Sequence, residues 1–493
     1  MKFEILLIAL LLLLVGETSC NRNRLKMDEQ SLVKELADEQ KSGVWQNGQA
    51  TGSFSNAKPG IRYKEIRSAD PSNPPVVIDI AAVQDHAAKI KASRLFQQIQ
   101  VVRIPADETK SPLSHYSKNY IISNRHIYQF SRFTGIRQYD MRGRLVKDIC
   151  DNNMPYIDNG EGSVAVDARE YKQQFSGAVS ARLVDGKFYY QYENQPGDQC
   201  ELKMVDDADN APSISDNRTG VENHRNFEGF GKTVIDFGKP SGNGINPNLY
   251  CILPGNQLAT YSSAKSPAGN APLLTLLTKN GDTVCIFNDY DPVKHLKGRV
   301  YRSPDENYMY PVDNQFHIKP AFNDTIFELL PPNRLLAKFV LHFGDRGVNN
   351  STEGMDPQFN LKDKLLLNDL IESDKYIFIT YTRDYSCPNT AKHGTLKYGR
   401  IIFDKSKHEV IAVYSCEKPE INPEQPFSWP KAPEKNIEND LNGCPFFWPT
   451  GVTADNKPFA AVSGKRLMRY FRPGQAAPME TLQENDMVIF IYK

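Results

Sequence analysis

The stretch DNQFHIKPAFNDTIFELLPPNRLLAKFVLHFG, residues 313–344, decides how this chain folds. Its one motif-like feature, Asn323-Asp324-Thr325, sets a carboxylate beside a hydroxyl. The surroundings read as hairpin punctuation. Residues 308–310 are β-like, 312–315 turn, 316–319 are β-like again, and 321–324 turn a second time. Residues 325–330 form a third run and Pro331-Pro332-Asn333 a third turn. From 335 to 343, Phe339, Leu341 and Phe343 alternate with Val340 and His342, the period of two of a strand with one buried face. Asn and Asp favour turns because their side chains bond nearby backbone and tolerate left-handed dihedrals. Asn323-Asp324 is therefore predicted to turn a hairpin and Thr325 to open a strand; they are no catalytic pair. Four short strands joined by three tight turns have the size of one propeller blade.

The same grammar recurs. QYDMRGRLVKDI (138–149), LLTKNGDTVCIF (276–287) and IIFDKSKHEVIAVY (401–414) each read as β run, polar turn, β run. ARLVDGKFYYQYE (181–193) turns at Asp185-Gly186, a strong hairpin signal, and NLYCILPGNQLATYSS (248–263) turns at Gly255-Asn256. Six such clusters lie between about residue 98 and the C-terminus. The expected fold is all-β, a six-bladed β-propeller of antiparallel four-stranded blades closed by pairing of N- and C-terminal strands. Residues 76–80 (VVIDI) and 487–493 (MVIFIYK) are the expected closing pair, because closure removes exposed sheet edges. Helical patterning is confined to MDEQSLVKELADEQ (27–40), residues 81–98 and KDKLLLNDLIES (362–373).

The N-terminus supplies an address. In MKFEILLIALLLLLVGETSC a lysine precedes an apolar run over residues 5–15, and small residues follow. The run is shorter than the ~20 residues a membrane span needs and fits the core of a secretory signal peptide. Thr18-Ser19-Cys20 resembles a lipobox, with Glu17 where that pattern prefers an aliphatic residue; Cys20 is the expected lipidation site. The domains expected are a signal peptide at 1–20, a flexible polar tether at 21–75, and the propeller at 76–493.

With 59 basic and 59 acidic residues among 493, the chain lacks the positive excess that phosphate contacts require, so no nucleic acid is expected as a partner. Of eight cysteines none forms a C-x-x-C pair, so zinc-ribbon and redox motifs are excluded. Buried free thiols are expected, with Cys251–Cys285 and Cys387–Cys416 the pairs to check for disulfides. NFEGFGKT (226–233) ends like a phosphate loop but has Asn226 for the first glycine, and neither a buried strand before it nor an apolar helix after it. The nine histidines form no metal-ligand spacing; His317 and His342 read as strand-face residues, and Asp206-Asp207-Ala208-Asp209 as a solvated turn. No metal and no cofactor is expected. G-x-S-x-G is absent, whereas a carboxylate pair for glycoside hydrolysis is set by the fold and is not legible here. Trp429 in PFSWPKAP (426–433) and Trp448 in CPFFWPTG (444–451) are the ligand-binding candidates, since aromatic faces beside polar groups suit sugars or a protein partner. The competing role for both is to cap the core between blades.

The segments VVIDI (76–80), ASRLFQQIQVVRIP (92–105), YDMRGRLVKDI (139–149), FNDTIFEL (322–329), LLAKFVLHFG (335–344) and NDMVIFIYK (485–493) resemble an uncharacterised family of six-bladed β-propeller lipoproteins from Gram-negative anaerobes. The resemblance covers roughly 76–493 and implies the fold but no activity. DNNMPYIDNGEGS (151–163) stands where that family has a Gly-Pro-Gly-Glu loop after its first blade. The expectation is a monomeric, lipid-anchored outer-membrane protein, its face of the membrane undetermined, that binds a ligand without catalysis, in glycan or nutrient handling. The alternatives are a propeller enzyme (lyase, lactonase or glycosidase) with an axial carboxylate or metal site, and a scaffold for an envelope protein partner.

Overall fold

The computed structural model describes residues 52–53, 61–106, 119–131, 134–152, 156–158, 164–166, 176–194, 199–207, 231–238, 249–254, 257–261, 264–265, 271–291, 301–302, 308–348, 363–383, 397–417, 437–441, 445–470 and 482–493. The opening stretch is the fourth of six blades. Its strands are Tyr308–Val312, Gln315–Lys319, Thr325–Leu330 and Arg334–His342, paired antiparallel in that order. Asp313 and Asn314 both take positive φ (48° and 60°), as the two-residue hairpin turn that matches strand twist demands. The backbone N–H of Thr325 donates to Asn323 Oδ1 at 2.9 Å, so Asn323 does turn work. Phe339, Leu341 and Phe343 are buried while His342 is exposed, as the alternation requires.

Blade 1 consists of Asn119–Ile122, His126–Ser131, Gly135–Asp140 and Leu145–Cys150. Blade 2 consists of Ser176–Val184, Lys187–Asn194, Gln199–Asp206 and Lys232–Gly238, with Asp185 and Gly186 in the left-handed region at its first turn. Blade 3 is formed by Leu249–Leu253, Gln257–Tyr261, Ala271–Leu277 and Thr283–Asp289. Blade 5 is formed by Leu365–Glu372, Tyr376–Arg383, Lys397–Asp404 and Glu409–Glu417. Blade 6 takes Gly451–Val452, Pro458–Ser463 and Met487–Tyr492 from the C-terminal part and Ile99–Ile104 from the N-terminal part. Each is a four-stranded antiparallel sheet, and together they make a six-bladed propeller. Among the described residues two short pairs stand apart from the blades, one of which joins Tyr156–Asp158 to Val164–Val166 within the loop after blade 1.

Closure uses terminal strands, but the N-terminal partner differs from the expected one. Met487–Tyr492 pairs with Ile99–Ile104, with Met487 opposite Ile104 and Tyr492 opposite Ile99. Buried Asp486 locks the pair: it accepts from Arg103 Nε at 2.7 Å and from the Ala106 N–H at 2.9 Å. Val76–Asp79 instead runs parallel to the last strand of blade 4, with Val76 opposite Phe339.

That strand belongs to a belt around the outer edges. Gly52–Ser53 pairs in parallel with the last strand of blade 2, Ile61–Tyr63 with that of blade 3, and Ile66–Ser68 and Val76–Asp79 with that of blade 4. Ala88 then bridges Val413 on blade 5. Ile61–Tyr63 and Ile66–Ser68, read from the sequence as part of the end of a tether, are therefore built into the sheets. A composition of scattered apolar residues cannot form a core of its own, yet it suffices for a strand that borrows its partner's backbone groups and covers an open edge. Ile78 and Ile80 are fully buried among Phe339, Leu341 and Ile379.

Two helical expectations fail. Within 81–98 only Ile80–Val83 and a 3₁₀ turn at Ala92–Arg94 are helical, because the backbone there is committed to edge bridges. Residues 365–372 are the first strand of blade 5, with a bulge between Leu367 and Asp369. The extra residue moves the buried series from Leu365 and Leu367 to Leu370 and Glu372, and that three-residue step imitates helical spacing. Cys285 is a free buried thiol, so the Cys251–Cys285 disulfide is not formed; Cys387 lies outside the described residues. Lys232 and Thr233 open the strand Lys232–Gly238, where a phosphate loop would open a helix.

Candidate functional site: the axial cavity

The first strands of the blades line the propeller axis. Residues of the first strands or first turns of blades 1, 2, 3, 4 and 6 converge on one cavity of about 620 Å³. Tyr120, Arg182, Tyr310, Asn314, Thr453 and Ala454 represent its walls. Short turns give this arrangement its precision. In blades 1, 5 and 6 a hydroxyl caps the first hairpin: Ser123 Oγ accepts the His126 N–H, Ser373 Oγ that of Tyr376, and Thr453 Oγ1 that of Lys457. Such side-chain-to-backbone bonds hold a turn without glycine.

Two buried carboxylates stand beside the cavity, each tying neighbouring blades. Asp207, just past the third strand of blade 2, lines the cavity and collects donors from blade 1 on its Oδ1. Tyr128 donates at 2.6 Å, Ser123 at 2.9 Å, and His126 Nδ1 lies at 3.1 Å. Burial pushes this carboxyl up, but the bonds from His126, Tyr128 and Ser123 outweigh it and hold it below its usual range. The stack of Tyr128 on Phe188, centroids 4.1 Å apart, fixes the phenol across the blade boundary. Glu372 forms the counterpart between blades 4 and 5. Its Oε2 meets His317 Nδ1 at 2.8 Å and the Tyr310 hydroxyl at 2.9 Å, and its Oε1 meets Lys405 Nζ at 2.9 Å.

The Ser123, His126 and Asp207 trio contains the residue types of a hydrolase triad in the wrong order. A nucleophilic serine needs the imidazole between itself and the acid. Here Ser123 Oγ and His126 Nδ1 both address one carboxylate oxygen, and the serine is held by backbone N–H groups of its own turn. Asp207 below its usual range is too weak a base to activate a hydroxyl. The trio holds the cavity's shape. Among the described residues, no group of three or more His, Cys, Asp or Glu is placed to hold a metal ion.

Trp448 is 5% exposed and sits in the core shared by blades 5 and 6, edge-on to Phe378 at 5.4 Å with the Arg400 guanidinium over its ring at 4.8 Å. It does not line the axial cavity. Trp429 and Cys20 lie outside the described residues. His317 lies on a strand, as read from the sequence, and is buried at 2% exposure, whereas Asp207, read as part of a solvated turn, is buried at 7% in the blade ties. No local signal marks them: the partners of Asp207 lie about eighty residues away in the chain.

The sequence profile of a family described as a domain of unknown function, DUF4933, matches residues 58–472. This chain belongs to that family. The DUF4933 match begins inside the belt and takes in all six blades apart from the C-terminal closing strand. Among solved structures, a Bacteroides fragilis protein described as exported is similar at 12% identity, over 85% of this chain and 99% of that one, with a TM-score of 0.48. A DUF4221 family member from Bacteroides vulgatus is 10% identical, over 80% and 96%, with a TM-score of 0.41. Virginiamycin B lyase from Staphylococcus aureus is 7% identical, over 80% and 100%, with a TM-score of 0.30. Likeness this distant transfers no activity. No curated protein matches the chain.

Proposed function

We propose that this DUF4933 protein is a lipid-anchored envelope propeller that binds a polar ligand, a glycan, in its axial cavity without transforming it. The carrying observation is the 620 Å³ cavity walled by turns from five blades, large enough for a few sugar rings and lined by amides, hydroxyls and tyrosines. Rigid turns on a closed ring pre-organise those groups, which reduces the entropic cost of binding. The Ser123–Asp207–His126 geometry favours binding over hydrolysis, since the serine has no imidazole base. The signal-peptide pattern and Cys20 support export and acylation.

The test is a thermal-shift screen of the full chain against soluble glycans, repeated with Ala454→Trp, which fills the cavity mouth. A ligand bound by the native state alone raises the melting temperature, and the filled variant is expected to lose that response. A shift that survives the filling, or conversion of the glycan into product, defeats the reading.

A further inference from the structure

We infer that the axial cavity is built for an anionic sugar, with the Arg182 guanidinium receiving its carboxylate or sulfate. This inference rests on the reading of the cavity as the ligand site and names the ligand's chemical class. Arg182 lies on the first strand of blade 2 and lines the cavity. Its guanidinium stacks on Phe316 of blade 4, 5.1 Å from the ring centroid, so the side chain reaches past blade 3 towards the axis. The contact holds the positive charge against the face of the ring.

Arg182 has no hydrogen bond or ion pair among the described residues, and its Nη1 is buried without an acceptor. A half-buried guanidinium in that state is costly, and an anion relieves it. Arg125 adds another positive charge at the cavity.

The cavity's acidic groups do not cancel this. Asp207 is turned towards blade 1, where its Oδ1 takes three donors. Asp313 bonds Asn456 Nδ2 at 3.0 Å and has Lys405 at 3.9 Å. Asp206 stands opposite Lys187 on the blade 2 ladder. Asp185 is at the exposed hairpin tip, where solvent and salt screen it most. Arg182 is half-buried whereas Asp185 and Asp206 are exposed, so the field of the guanidinium is screened less than theirs. Amides and hydroxyls at Asn124, Asn314 and Thr453 suit the neutral hydroxyls of the same sugar.

The test is calorimetric titration of the full chain with α-1,4-trigalacturonate, its methyl ester (the same skeleton without charge) and a sulfated galactose disaccharide. An acidic ligand is expected to bind at least about tenfold tighter than the ester, with affinity falling as salt rises. Arg182→Gln is expected to weaken it by about tenfold or more. Whether galacturonate or the sulfated sugar responds tells carboxylate from sulfate. If the ester binds as tightly as the acid, or Arg182→Gln leaves affinity unchanged while Ala454→Trp abolishes it, the anion inference falls and the cavity reading stands. Binding that survives Ala454→Trp removes both, and silence from all three ligands removes the anion inference. Should Arg182→Gln not fold, the acid-against-ester difference in the wild-type chain and its fall with salt decide the matter.

Discussion

His317 in blade 4 meets Glu372 in blade 5 at 2.8 Å, with side-chain exposures of 3% and 0%. A carboxylate can only accept, so His317 Nδ1 carries the proton between them. Burial pushes Glu372 up, but His317 and then Lys405 outweigh it and bring its carboxyl from the usual 4.5 down to about 2. A depressed carboxyl stabilises the fold above its unfolded pKa, and that contribution is lost as pH falls through the folded one. The window is therefore pH 4.5 to about 2. Glu372→Gln is expected to destabilise the propeller at pH 7 by on the order of 3 kcal/mol. Denaturant melts should show the gap to wild type closing across that window; a gap independent of pH sinks the assignment.

Asp369, at the bulge of the same strand, behaves in the opposite way. Burial raises its carboxyl from 3.8 to about 6, against smaller opposing effects of the Leu370 N–H and Arg400. A raised carboxyl favours the fold below the unfolded pKa, and that advantage disappears as pH rises through about 6. Asp369→Asn keeps an oxygen for the Leu370 N–H and removes the charge. It is expected to stabilise the protein at pH 8 by about 1–2 kcal/mol and to be neutral near pH 4. Equal effects at both pH values would argue that packing, not charge, is at issue.

The belt makes a prediction about length. A chain starting at residue 76 loses Ile61–Ser68, and with it the Arg62–Asp282 pair at 2.8 Å and the Asn288 N–H bond to Glu65 at 2.7 Å. It should melt lower than a chain starting at residue 51. Ile78→Ala removes a fully buried side chain and should cost about 2–4 kcal/mol. Were the two lengths equally stable, the outer strands would be ornamental.

Cys150 and Cys285 are buried, and burial pushes each thiol up to about 12. Thiolate is the reactive form, so neither should alkylate in the native protein at pH 8, and both should react once the chain is unfolded. Rapid native labelling at either position, read by peptide mass spectrometry, would contradict the packing of blades 1 and 3.

Local pattern carried the blades. Asp185-Gly186 and Asp313-Asn314 announce hairpins because their left-handed dihedrals are a property of the residues themselves. It failed at Leu365–Glu372, where a bulge altered the phase, and at the belt, whose strands are defined by partners hundreds of positions away. Trp448 attracted attention as an aromatic among prolines, yet its exposure depended on how blades 5 and 6 meet. Asp207 read as part of a solvated turn and Arg182 drew no attention, because their surroundings are assembled from other blades.

What the sequence by itself determined is the repeating strand-and-turn unit, the number of blades and the closure by strands from both ends, because period-two burial and turn chemistry are local. The tertiary structure alone decided which N-terminal strand closes the ring, that residues upstream of it belt the blades, and which polar groups meet at the axis. Those outcomes depend on long-range backbone pairing and on charges brought together across blades, and no window of residues contains both partners.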